Sequence, residues 1–150
     1  MKNTVFAMAL IMSFSATALA HDEGHGPKLS DAGKFGGLVS PVVKKSEAKL
    51  GPKAGLVHKA ELARASDGTV RIYLYDVEMK PLNLEKFDKK TTATIGSRVK
   101  GNWKQVAFDL EQKNGAFVGK MPKPESKPYS IDVQVMEGGT ELLSAFDNLD

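Results

Sequence analysis

The chain contains no cysteine. That excludes a disulfide framework, a thiolate metal site and a cysteine nucleophile. It also excludes a blue-copper centre, which needs a cysteine sulfur. Charge of one sign is lacking too. The formal balance is +3 over 150 residues, spread as lysine pairs along loops, and this gives no basic face for nucleic acid. Aromatic residues are few, and Trp103, Phe108 and Phe117 read as core rather than as a stacking platform. No serine sits in a Gly-x-Ser-x-Gly setting. The glycines mark turns, not the strand-to-helix junction of a phosphate loop or a dinucleotide fingerprint. The carboxylate pair Asp76/Glu78 falls on a turn, where solvation is its ordinary state. The sequence therefore points to a binding protein and not to an enzyme.

One apolar run is present, at the start. Met1-Lys2 supplies a positive charge, Val5 to Met12 is too short to cross a bilayer, and small residues at Ala18 and Ala20 fit the peptidase rule. Residues 1–20 read as a signal peptide cleaved after Ala20, which implies a periplasmic or secreted protein beginning at His21. No second run reaches membrane-spanning length. Residues 21–35 are polar and aperiodic and read as a flexible arm. Residues 36–150 make one domain, large enough for an independent core.

From Gly36 on, the pattern is β. Gly36 to Val43 reads as a first edge strand, kept from a sheet centre by Pro41; Lys44 to Lys53 is a basic loop. Leu56–Ala65 and Val70–Asp76 flank Asp67-Gly68, a hairpin signal. Val70, Ile72 and Leu74 share one face, as do Val106, Phe108 and Leu110, and again Ile131, Val133 and Val135. Asn114-Gly115 and Gly138-Gly139 mark further hairpins. Seven or eight short strands at regular spacing predict an all-β antiparallel sandwich, immunoglobulin-like or cupredoxin-like.

Histidine carries the chemistry. Only His21, His25 and His58 are present. Cleavage after Ala20 frees the α-amine of His21, which can close a chelate ring on one metal ion with Nδ1 of the same residue. His25 offers a third nitrogen from the same arm, and Asp22 and Glu23 offer oxygens. Such nitrogen donors suit copper or zinc, and the general affinity order favours copper. His58 has the parity of Leu56, Ala60 and Leu62 and so faces the apolar side or its rim. Met79, in the Asp76–Pro81 turn, is a candidate soft ligand for Cu(I).

These features resemble a loosely defined family of small exported proteins from bacterial metal-responsive operons. The matching residues are His25-Gly26-Pro27, Gly36-Gly37, His58-Lys59-Ala60-Glu61-Leu62, Arg71 to Asp76, and Lys80-Pro81-Leu82. The resemblance implies a β-sandwich in copper or other heavy-metal handling, as a soluble metallochaperone or an accessory to an efflux system. It implies His25 and His58 as ligands, with Glu61 beside them. The rival expectation is an exported structural or protein-interaction module that recruits its partner along free strand edges, its histidines incidental.

Overall fold

Alternation of apolar and polar residues gives each strand one face to bury, and the eight strands satisfy it by closing on themselves. The computed structural model describes residues 26–150. Its strands are β1 (Leu38–Lys44), β2 (His58–Arg64), β3 (Thr69–Tyr75), β4 (Lys90–Val99), β5 (Asn102–Lys113), β6 (Ala116–Lys120), β7 (Tyr129–Glu137) and β8 (Thr140–Leu149). They form a closed antiparallel barrel in the order β1-β2-β3-β6-β5-β4-β7-β8. This corrects the expected sandwich. Both architectures bury one face of every strand, so both give the same alternation. What separates them is whether β1 meets β8, and that pairing joins residues a hundred positions apart.

The first strand is corrected for the same reason. It is not an edge: β2 pairs with it along Leu38–Val42, and β8 pairs with it at Val43 and Lys44. Pro41 is tolerated because it lies where β1 has no register partner on β8. There Ser40 Oγ donates to the Ala145 carbonyl at 2.5 Å instead.

The interior is filled by side chains from every strand, among them Val42, Leu62, Ile72, Leu110, Phe117, Ile131, Val133 and Leu142. The β3–β4 connection, residues 76–89, skips two strands and crosses one end of the barrel. Leu84 and Phe87 of that connection join the core, and Gln112 Nε2 donates to the carbonyls of Leu84 and Phe87. A smaller apolar cluster lies outside the barrel wall. Val43 and Leu143 are covered there by Ala48 and Ala54, from and just after the 3-10 segment Lys45–Lys53.

Two core expectations are corrected. Val106 shares the parity of Phe108 and Leu110 yet is 46% exposed. The short β6 reaches β5 only at Glu111–Lys113, so the other end of β5 has β4 as its one partner and overhangs the barrel. Trp103 lies on that overhang, half-buried, with its ring over Gly96, where a Cβ would stand 2.4 Å from the indole.

The described part of the arm is tied to the barrel. It runs up the outside of β1 and β2. Gly37 meets the Leu62 carbonyl, Gly33 meets Glu61, Asp31 Oδ2 lies 2.7 Å from Lys59 Nζ, and Gly26 packs on Pro41 and Val43. Along this path the register rows pass from Leu38↔Leu62 to Val42↔His58. The arm thus reaches the end of the barrel where β2 begins.

Candidate functional site

His58 is the first residue of β2, and its inward parity places it at the barrel rim. Its Nε2 lies 2.7 Å from Glu137 Oε2, at the end of β7. The imidazole is mostly buried and sits tilted against Phe87, with ring centroids 5.9 Å apart; Phe87 in turn meets Phe117 edge-on. Glu137 is held in place from the other side. Its backbone pairs with Phe87, and Gly138 N–H donates to the Lys86 carbonyl at 3.0 Å. Among the described residues, Nε2 is the only ring nitrogen of His58 with a hydrogen-bond partner.

Asp76, at the end of β3, adds negative charge near this rim. The Lys80 N–H, and after it the Glu78 N–H and the charges of Lys80 and His58, hold its carboxyl below the usual range against the cost of burial. Both backbone donors contact Oδ1, at 2.9 and 2.8 Å. This closes the turn that carries Met79, a half-buried methionine held at φ 64°.

Glu61 is placed differently from the ligand neighbour implied by the resemblance. It points out from β2 and is fully buried beneath the arm. Oε1 accepts from the Phe35 and Gly37 N–H groups, and Oε2 accepts from the Lys34 N–H and the Tyr75 hydroxyl, all at 2.7–2.8 Å. A carboxylate has about four acceptor sites, and these four bonds fill them. Burial pushes its pKa up, but the bonds from Tyr75, Gly37, Phe35 and Lys34 together outweigh that and hold it low. Burial, and after it the hydrogen bond to Glu61, pushes the Tyr75 hydroxyl well above its ordinary value. Phe35 stacks on Tyr73 at 4.0 Å and Lys34 Nζ stands 5.6 Å over the Tyr75 ring, which seals the carboxylate from water.

His58 and Glu61 therefore lie on opposite faces of β2. His21, Glu23 and His25 fall outside the described residues. Among the described residues no three His, Asp or Glu side chains form a group able to hold a metal ion. Sequence reasoning missed Glu137, which carries no motif. Its one signal is its place just before the Gly138-Gly139 turn, which returns β7 at the rim. It also missed Tyr75 as the hydroxyl partner of Glu61, although residues 61 and 75 lie on adjacent hairpin strands.

No protein-family model, no curated protein and no solved structure matches the chain.

Proposed function

We propose that this chain is an exported metal-binding protein whose site is completed by its N-terminal arm. In this reading His21, through its freed α-amine and its imidazole, and His25 meet His58 at the barrel rim. The supporting observation is the course of the arm. Gly26 follows His25 directly in the chain and packs on Pro41 and Val43. The residue between those two, Val42, is the register partner of His58. The five residue-to-residue steps from His21 to Gly26 span at most roughly 17 Å, whereas neighbouring strands lie only about 4.8 Å apart. The arm nitrogens are thus tethered within reach of the rim.

The setting of His58 suits a ligand. A metal-bound histidine commonly gives its second ring N–H to a carboxylate, which fixes the tautomer and raises the basicity of the ligating nitrogen. Glu137 occupies that position against Nε2 and leaves Nδ1 as the donor. The ion is copper or zinc, with Cu(II) favoured by the affinity order. Glu23 and Met79 are secondary donors. The corresponding role is metal handling in the periplasm, as a soluble carrier that delivers its ion to an efflux system. The rival module that recruits a partner along strand edges has less support, because closure pairs the first strand with the last and leaves only the overhang of β5 with one partner.

Competitive titration of the chain beginning at His21, and of its His58→Ala variant, tests this reading with Cu(II) and Zn(II). The variant is expected to bind at least about tenfold more weakly, the scale of loss typical of perturbing a metal-site residue, with its circular dichroism unchanged. Equal affinities would remove His58 from the site and the barrel from the function.

A further inference from the structure

We infer that the overhang of β5 is a docking edge for a partner protein, which adds an extended acidic segment there as a further antiparallel strand. The inference does not rest on the metal-binding reading above.

The edge is open along its backbone. β4 pairs with β5 from Asn102 to Glu111, whereas β6 pairs with it only at Glu111–Lys113. Gln112 N–H donates to the Lys89 carbonyl, on the β4 side, at 2.8 Å. Backbone direction alternates along an antiparallel strand. Lys104, Val106 and Phe108 therefore also bond toward β4, and Gln105 and Ala107 turn their N–H and C=O groups the other way. The Asp109 carbonyl follows the same alternation and faces β6, where a Cβ on Gly119 would stand 2.3 Å from it. β6 ends at Lys120, and beyond it Lys104, Gln105, Val106 and Ala107 are all exposed. A segment added here would continue the line of β6 and take up the outward groups, the mode by which extended peptides join sheet edges.

The side chains select the partner. Val106 and Lys104 share one face of β5, and opposite residues of an antiparallel pair share a face as well. The added strand thus needs an apolar residue against Val106 and, two positions further on, a carboxylate against Lys104. The wider charge agrees. Arg98, Lys100 and Lys104 lie on the overhang, and no Asp or Glu stands between Thr94 and Phe108. The connection of residues 121–128 is tied to the overhang by Ser126 Oγ, which donates to the Arg98 carbonyl at 2.6 Å, and it brings Lys123 and Lys127 against Glu125 alone. Glu125 lies 3.2 Å from Lys104 Nζ, but both side chains are half-exposed, so a partner's carboxylate exchanges with it at little cost. A lysine on an open edge guards against pairing with neutral strands; here it admits an acidic one. A second copy of β5 has no carboxylate over residues 102–108 and cannot supply the pair.

The probe is the end-blocked peptide Thr-Leu-Thr-Val-Thr-Glu-Thr, whose Val and Glu would face Val106 and Lys104, beside a version with Lys in place of Glu. The Glu peptide is expected to slow amide exchange at Gln105 and Ala107 while leaving Val106 and Phe108, already bonded to β4, unchanged. Its binding should weaken as ionic strength rises. Gln105→Pro removes an outward N–H and leaves the β4 ladder whole; binding should fall about fivefold or more, with the circular dichroism of the parent. Lys104→Glu should reverse the preference, the Glu peptide losing about fivefold and the Lys peptide gaining. This variant reports on the inference should Gln105→Pro fail to fold. Equal binding of the two peptides, or no slowing of the Gln105 and Ala107 amides at millimolar peptide, would overturn the inference. Slowing of these amides by raised protein concentration alone would assign the edge to a second copy and overturn it likewise.

Discussion

Val43 and Leu143 face one another across the seam where the first and last strands meet. They point away from the barrel interior, and Ala48 and Ala54 cover them. The register between β1 and β8 is two residue pairs long, so this external cluster supports the closure where the ladder is shortest. The basic stretch between β1 and β2 is thus a cover for the seam. Its Lys45 also reaches across to Glu141 of β8, at 2.7 Å.

Leu143→Ala should therefore destabilise the barrel by about 2–4 kcal/mol, the range for truncating a buried leucine. Val106→Ala, on the overhang of β5, should change stability by less than about 0.5 kcal/mol. Urea denaturation of both variants checks the contrast. Similar losses at the two positions would show that the seam is not where closure is held.

The apolar interior needs no ion to form. The metal-free protein is expected to unfold in one cooperative transition, with the same midpoint in the presence of a strong chelator. Small domains built on a structural zinc behave oppositely and are unfolded without it. A chelator-induced drop in the midpoint would place a structural ion in the fold.

The strands were legible because alternation with period two is a local signal. It marked the inward faces of β3 and β7 residue by residue, and Asn114-Gly115 and Gly138-Gly139 marked the β5–β6 and β7–β8 turns through the need for positive φ. The Lys100-Gly101 turn adopts the same conformation, with φ 50° and 83°, but lysine gives no turn signal and the sequence did not reveal it as a hairpin. Closure was not legible. It depends on Val43 meeting Leu143, and no local pattern encodes a partner so distant in the chain. The exposure of Val106 was hidden likewise, because it follows from the shortness of β6 rather than from β5. At the site, parity placed His58 at the rim, whereas Glu137 came from a strand 79 positions further along the chain and Glu61 from contacts with an arm whose polar composition reads as unstructured.

The Glu61 grip should show itself in acid. Its carboxyl is held below the ordinary 4.5 in the folded protein. In the window below that value the unfolded chain binds more protons than the folded one, so stability rises with pH there. The contribution is complete above about pH 4.5 and is lost as pH falls through the folded value. Tyr75→Phe removes one donor to the charged form and should cost about 1–2 kcal/mol at pH 7. The gap from the parent should narrow as pH drops below 4.5. A gap of constant size from pH 7 to pH 3 would mean that the hydroxyl contributes packing alone.

Met79 is held in the left-handed region at φ 64°, a conformation costing a side-chain-bearing residue roughly 1–2 kcal/mol. Met79→Gly should relieve that strain and raise stability by about 0.5–1 kcal/mol, the rest being offset by the greater freedom of glycine in the unfolded chain. Thermal unfolding reads the gain. A Cu(I) titration of the same variant separates the two parts proposed for this residue: weaker Cu(I) binding identifies the thioether as a donor, whereas unchanged binding leaves Met79 as a strained turn residue only.

The sharpest test concerns the α-amine of His21. Chelation through it requires cleavage after Ala20 and loss of its proton. Free amines titrate near ~7.7–8.0 and imidazoles near ~6.5, so the ion competes with protons at every nitrogen. Cu(II) binding should weaken steeply between about pH 7.5 and about pH 5.5, with protons released on binding. One extra residue before His21 moves the amine away from the imidazole and opens the ring. The histidine side chains, the barrel and the net charge stay the same. The extended chain is expected to bind Cu(II) at least about tenfold more weakly, a loss of roughly 1.4 kcal/mol or more, while the two forms unfold identically without metal. Mass spectrometry verifies each N-terminus, and a competitive titration compares them. Equal affinities would show that the amine is no ligand, and the donors would then be the imidazoles of His21, His25 and His58 alone.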